Sequence, residues 1–124
     1  MKLVIQIPCY NEAETLERTL ADLPESIPGI ESIDTVIIDD GSTDDTVAIA
    51  RNAGVRHIVS FQTNRGLATA FARGLIEAGR LKADILVNTD ADMQYPGRCI
   101  ESLVRPVIDG TADIVVGCRP IERI

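Results

Sequence analysis

Two carboxylates one residue apart, Asp90 and Asp92, are the residues of this 124-residue chain best suited to bind a metal, and the amide of Gln94 follows. They come directly after residues 84–89, an apolar run that is typical of a buried strand entering a loop. Mg²⁺ and Mn²⁺ prefer such oxygen ligands, and often sit on one or two carboxylates plus the phosphates of a substrate. Because Asp is also common in turns, the pattern fits either a metal–diphosphate site or a polar turn.

The rest of the chain alternates between short apolar strands and helices that can position these residues. The helices are predicted between the strands, from apolar residues that recur at helical spacing. This βαβαβαβαβ order implies an α/β domain with a mostly parallel sheet and helices on both faces. Strands are predicted at residues 3–8, 35–38, 57–61, 84–89 and 113–117.

Capping residues and apolar spacing mark the individual helices. Asn11 is predicted to cap the first helix, with Glu14 in the capping-box position. Ser42 or Thr43 is predicted to cap the second helix. The third helix is predicted to end near Gly79, and its apolar row consists of Leu67, Phe71, Leu75 and Ala78.

A polar cluster follows each of the first four predicted strands. The clusters are residues 9–12, 39–42, 64–66 and 90–92. Parallel strands have their carboxyl ends at one edge of a sheet, which is where ligands bind in doubly wound folds. We therefore expect the four clusters to converge on one cleft.

Composition bounds the classes of function that the chain can have. Its 45% hydrophobic and 25% charged residues are typical of one ordered globular domain. The net charge of −7 argues against a nucleic-acid-binding surface, because phosphate contacts need clustered Lys and Arg. Cys9, Cys99 and Cys118 form no metal-binding or disulfide spacing, which favours thiols in a reducing, cytoplasmic compartment.

Together, residues 7–12, 39–44, 64–66 and 90–94 resemble the motifs of the inverting nucleotide-sugar glycosyltransferases of family 2. The resemblance covers almost the whole chain, and residues 90–96 are most similar to the polyprenyl-phosphate branch, typified by dolichyl-phosphate mannose synthase. It implies the GT-A fold, a three-layer sandwich with a nucleotide-binding half. It also implies Mg²⁺- or Mn²⁺-dependent transfer of a sugar from a GDP- or UDP-linked donor to a polyprenyl or dolichyl phosphate.

The same resemblance implies roles for residues that would bind the nucleotide. Pro8, Tyr10 and Glu12 would line its pocket, with Tyr10 beside the base and Glu12 near the ribose. Either Asp40 or its neighbour Asp39 would accept a hydrogen bond from the base.

For the reacting groups, the resemblance implies that Asp90, Asp92 and Gln94 hold the metal against the donor diphosphate. Arg119 matches a position that would bind the acceptor phosphate, although Cys118 stands where the family has Ser. Asp92 and Arg119 are thus the expected catalytic residues. Arg65 is open between a surface residue and a donor contact.

Members of this family generally continue well beyond the point where this chain ends. Residues 1–124 are therefore expected to be a single donor-binding domain, truncated at its C-terminus. Contact with the cytoplasmic face of a membrane would come through the missing part.

Two alternatives stay open at the level of sequence. The first is a non-catalytic module that binds a nucleotide sugar. The second is a Mg²⁺-binding receiver domain, which has similar length and clustered acids. A receiver needs a Lys after its last strand, and Lys2 and Lys82 are both in the wrong place.

Overall fold

The protein is described by a computed structural model that covers residues 1–92, 97 and 99–110. Strands and helices alternate through this part of the chain, as predicted. The predicted strand at 113–117 lies outside the described residues. The strands are β1 (Lys2–Cys9), β2 (Ser32–Asp39), β3 (His57–Ser60) and β4 (Ile85–Asn88). The helices are α1 (Leu16–Ala21), α2 (Thr46–Asn52), α3 (Leu67–Arg80) and α4 (Cys99–Ile108).

The four strands form a parallel sheet in the order β3-β2-β1-β4, which confirms the predicted α/β class. Cys9 lies opposite Asp39, and Asp39 lies opposite Ser60, so three strands end at the same level. A receiver of the 2-1-3-4-5 type would place β3 beside β1. Here β4 takes that position, and the receiver alternative is therefore wrong.

The two faces of the sheet are packed differently. On one face, Leu3, Ile5 and Ile7 of β1 are buried in a core that α1, α2 and α4 complete. On the other face, Val4 belongs to a smaller core that is covered by α3. This alternation along β1 is the period-two pattern of a strand, and helices on both faces give three layers.

Helix α3 is confirmed, but of its predicted apolar row only Ala78 packs against the sheet, and the three larger residues, Leu67, Phe71 and Leu75, are exposed. Leu67 is 65% exposed, whereas Ala70, Gly74 and Ala78 are buried against the sheet. Small residues let the helix approach β1 closely. A methyl group added at Gly74 would lie 1.7 Å from Oε1 of the buried Gln6 side chain.

The amino edge of the sheet, opposite the polar clusters, carries an open cavity of about 350 Å³ between α1 and the turn before β3. Leu23, Ile33 and Val55 are among its lining residues. In the described ranges 1–92, 97 and 99–110, no helix combines the length and apolar character needed to cross a bilayer.

Candidate active site

The four polar clusters converge at the carboxyl edge of the sheet, as predicted from the strand order. The loop after β1 is joined to the loop after β2 by hydrogen bonds in both directions. Asn11 N–H donates to Ser42 Oγ at 2.9 Å, and Thr43 N–H donates to Asn11 Oδ1 at 2.8 Å. Glu12 N–H donates to Thr46 Oγ1 at 3.0 Å. Side chains of one loop thus satisfy the backbone of the other.

These contacts explain why the predicted helix caps are wrong. The residue that caps α1 is Thr15, and the residue that caps α2 is Asp45. Asn11 instead adopts a left-handed backbone with φ of 53° and serves the neighbouring loop. Asn and Ser side chains can bond either their own helix or a nearby backbone, and tertiary packing decides which.

The two aspartates at the carboxyl end of β2, Asp39 and Asp40, have different hydrogen-bond partners. Asp40 is 5% exposed, and its carboxylate accepts hydrogen bonds from Asn64 Nδ2 at 3.1 Å and from the backbone of Arg65 and Gly66 at 2.6 and 2.9 Å. It therefore fixes the loop between β3 and α3. The carboxylate of Asp39 accepts one hydrogen bond among the described residues, from Ser42 N–H to Oδ1.

Gly41 brings the loop after β2 into direct contact with the loop before α3. Its φ is +78°, and an added Cβ would lie 2.5 Å from the backbone of Thr63 and Asn64. The guanidinium of Arg65 lies over the ring of Phe61, 5.1 Å from its centroid. The Arg65 side chain is thus stacked at the rim of the site, and its backbone is held by Asp40.

Negative charge accumulates between the loop after β1 and the loop after β4. Partial burial raises the pKa of Glu12, and the carboxylates of Asp92, Asp90 and Asp44 raise it further. Asp90 and Asp92 are both exposed at this edge. A group that is repelled by three carboxylates indicates a region that favours a cation.

Cys9 at the end of β1 belongs to the core beneath these loops. Burial raises the pKa of its thiol, and Glu12, Asp39 and Asp44 add to the effect. The thiol is therefore a packed, neutral group, as the sequence predicted.

The donor set suits a cation that is shared with a ligand rather than enclosed by the protein. Within the described residues, no group of three or more His, Cys, Asp or Glu side chains is arranged to hold a metal ion by itself. Two neighbouring carboxylates that leave coordination positions to phosphate oxygens and water fit Mg²⁺ or Mn²⁺. The predicted ligand Gln94 and the predicted phosphate ligand Arg119 lie outside the described residues.

The nucleotide-binding predictions map to the same edge, and their roles stay predictions. Tyr10 is 48% exposed beside the loop after β1. Pro8 and Glu12 are partly exposed. Together with Asp39, they line one side of the edge, and Asp90 and Asp92 line the other.

Sequence reasoning missed several residues that hold the loops together. Asp44 accepts hydrogen bonds from Ala13 N–H at 3.2 Å, from Thr46 N–H and from Thr46 Oγ1–H. Slight burial raises its pKa, but these hydrogen bonds outweigh that effect, so the pKa is lowered overall. Its position inside the motif at 39–44 was the available signal. The hydroxyls of Thr15 and Thr19 contact Ala91 O, and no local pattern marks such a distant backbone partner.

Comparison with known proteins agrees with this geometry. The family model described as glycosyl transferase family 2 matches residues 4–123. A dolichol-phosphate mannosyltransferase of Pyrococcus furiosus is 31% identical over 98% of this chain and 34% of its own length. An undecaprenyl-phosphate mannosyltransferase of Micrococcus luteus is 33% identical over 98% of this chain and 49% of its own.

A solved structure shares the fold. Glucosyl-3-phosphoglycerate synthase from Mycobacterium tuberculosis, crystallised with Mn²⁺, UDP and glucosyl-3-phosphoglycerate, superposes with a TM-score of 0.71 at 25% identity. The match covers 86% of this chain and 39% of that protein. The chain therefore spans between about a third and a half of the length of these relatives.

Proposed function

The chain belongs to glycosyl transferase family 2, and from this premise we propose that it binds a nucleotide-diphosphate sugar at the carboxyl edge of its sheet. We propose further that the sugar is transferred to a polyprenyl or dolichyl phosphate. The observation that carries the proposal is the accumulation of Glu12, Asp90 and Asp92, where partial burial and then repulsion by the two aspartates raise the pKa of Glu12. A divalent cation and the diphosphate that it accompanies would relieve this repulsion.

The nucleoside lies, in this proposal, beside the loop after β1. Tyr10 offers an exposed ring against which a base can stack, and Pro8 lies just before it at the end of β1. Of the two aspartates, Asp39 is the better ligand for the base. Both oxygens of Asp40 are already used by the loop before α3, whereas Asp39 accepts only at Oδ1 among the described residues.

The diphosphate lies, in this proposal, beside the loop after β4. Asp90, Asp92 and Gln94 would hold Mg²⁺ or Mn²⁺ there, and the ion would act as a Lewis acid for the departing nucleoside diphosphate. Asp90 and Asp92 would orient the diphosphate by fixing the position of the metal ion that it binds. Glu12 lies on the loop after β1, and its carboxylate adds to the negative charge that the cation would neutralise.

The proposed acceptor class is supported by chemistry and by the activities for which the relatives are named. Two of them are transferases that act on dolichol or undecaprenyl phosphate. A phosphate oxygen is already ionised at neutral pH and needs no general base, only a cation to position it. Arg119 would be that cation, because a guanidinium binds phosphate in a bidentate manner. Such an acceptor would place the reaction at the cytoplasmic face of a membrane.

Nucleotide titration tests the donor site directly. We expect UDP or GDP to bind more tightly with Mn²⁺ than without it in isothermal titration calorimetry. Asp92→Asn should reduce the Mn²⁺-dependent affinity by about tenfold or more, because one charged ligand is lost. The melting temperature of the ligand-free protein should not change. Asp109→Asn, an exposed substitution at the end of α4, is the matched control.

Unchanged nucleotide affinity in Asp92→Asn would contradict the metal assignment. A transfer assay with a radiolabelled nucleotide sugar and a polyprenyl phosphate then separates an enzyme from the non-catalytic module. Product formed by this chain alone would establish catalysis. Tight donor binding without product would favour the module.

A further inference from the structure

The short helix α1 contacts the loop after β4, which carries Asp90 and Asp92, through the hydroxyls of Thr15 and Thr19. Thr15 Oγ1–H donates to Ala91 O at 2.6 Å, and Thr19 Oγ1 lies 3.0 Å from the same oxygen. Ala91 is 1% exposed and stands between Asp90 and Asp92. Two side chains one helical turn apart thus converge on the residue between the two carboxylates.

The C-terminal end of α1 contacts the far side of the same loop. Asp22, the C-cap residue, accepts a hydrogen bond from Gly97 N–H at 2.5 Å. Gly97 is packed so closely that an added Cβ would lie 1.9 Å from Asp22 O. Both flanks of the loop are therefore attached to one helix.

Ordinary helix capping does not account for the contact between Thr15 and Ala91. Thr15 is the N-cap residue, yet its hydroxyl makes no cap hydrogen bond and is turned toward Ala91. A carbonyl oxygen has two lone pairs, and the oxygen of Ala91 lies within hydrogen-bond distance of both hydroxyls. Thr19 divides its proton between Ala91 O and Thr15 O, the latter at 3.1 Å.

We propose that Thr15, Thr19 and Asp22 are positioning residues that fix Asp90 and Asp92 for binding a divalent cation with the donor diphosphate. The inference rests on the proposed function of that loop. Rotation of the backbone at Ala91 changes the Cα–Cβ directions of Asp90 and Asp92 relative to each other. Hydrogen bonds that hold the Ala91 carbonyl therefore restrict how the two carboxylates are oriented. Groups that orient metal ligands commonly change metal affinity although they never touch the ion.

The test compares a hydroxyl-free pair of variants with a hydroxyl-bearing pair. Thr15→Val/Thr19→Val keeps the shape of both side chains and removes both donors, and Thr15→Ser/Thr19→Ser restores them. Thr69→Val, an exposed substitution on α3, is the control. Mn²⁺ affinity of the UDP complex is measured by electron paramagnetic resonance, and UDP affinity without metal by calorimetry. Hydrogen exchange reports the order of residues 89–92 and 97 without any ligand.

We expect the Val pair to weaken Mn²⁺ binding by about tenfold to a hundredfold, the range for groups that orient ligands. UDP binding without metal should not change, because Tyr10 and Asp39 are not touched. Exchange should become faster at residues 89–92 and 97 and stay the same in β1 and β2. The Ser pair should recover most of the Mn²⁺ affinity, and Thr69→Val should behave as the parent chain does.

Parent-like Mn²⁺ affinity in a folded Val pair would overturn the inference. If the Val pair fails to fold, Asp22→Ala decides instead, because this exposed residue holds only the far flank of the loop. It should weaken Mn²⁺ binding and speed exchange at residues 89–92 and 97, and unchanged Mn²⁺ binding would overturn the proposal. Failure of the proposed function gives a different result: the UDP affinity of the unsubstituted chain would then be the same with and without Mn²⁺.

Discussion

The two edges of the sheet use polar residues in different ways. At the amino edge, charged groups mostly pair with one another, Lys2 with Asp34 at 3.0 Å and the N-terminus with Glu31 at 3.7 Å, although the Asp84 carboxylate accepts a hydrogen bond from Lys2 N–H. At the carboxyl edge, carboxylates and hydroxyls accept hydrogen bonds from the backbone of a neighbouring loop, as Asp40 does from Arg65. Exposed ion pairs contribute little to stability, whereas backbone contacts fix the shape of a loop. The difference indicates that the shape of the loops is fixed mainly at the carboxyl edge.

The largest expected effect on the free energy of unfolding comes from replacing Gly41, which is compared with Gly54 because both residues have positive φ. Gly41→Ala at the carboxyl edge should lower the free energy of unfolding by roughly 3 kcal/mol or more, because the new methyl group meets backbone 2.5 Å away. Gly54→Ala after α2 has no atom within 4 Å and should cost only about 1–2 kcal/mol of left-handed strain. Urea unfolding measures both. Equal losses would show that the carboxyl-edge loops are free to move apart.

A smaller effect is expected from two aspartates at opposite edges. Asp40→Ala leaves the backbone N–H groups of Arg65 and Gly66 without their acceptor and should cost roughly 2–3 kcal/mol. Asp34→Ala breaks the half-exposed pair with Lys2 and should cost roughly 0–1 kcal/mol. Hydrogen exchange should accelerate at residues 63–66 only in Asp40→Ala. A larger loss in Asp34→Ala would reverse the comparison.

The smallest effect concerns Glu12 and depends on pH. Its pKa is raised in the folded protein, so the ionised form opposes folding above that pKa, and the penalty fades as the pH falls through it. Glu12→Gln should therefore raise the free energy of unfolding by roughly 0.5 kcal/mol near pH 8. This gain should shrink as the pH falls toward the ordinary pKa range of a glutamate, because Glu12 then takes up its proton.

Mn²⁺ with UDP provides an independent check on the Glu12 prediction, since a bound cation should offset the repulsion and reduce the gain from Glu12→Gln. The control is Glu14→Gln, an exposed substitution on the same loop. A gain that is independent of pH would mean that ionisation of Glu12, disfavoured by burial and by the nearby carboxylates, is not the cause.

Much of the fold was predictable because its signals are local. The apolar strands, the helix at 67–80 and the polar residues after each strand all follow from short-range patterns. The packing face of α3 was not predictable from its large apolar residues. Close approach to Gln6 of β1 required the small side chains at Ala70, Gly74 and Ala78 to face inward.

The sequence by itself determined the alternation of strands and helices, the clustering of polar residues at one edge and the resemblance to family 2, because each depends on residue type and spacing. Only the tertiary structure decided what the polar residues contact. It turned Asn11 and Ser42 from helix caps into links between loops, and it assigned Asp40 to the loop before α3. It also placed Thr15 and Thr19 on Ala91, 76 and 72 residues away along the chain. A hydrogen bond between residues so far apart depends on how strands are ordered in the sheet, and no local pattern encodes that order.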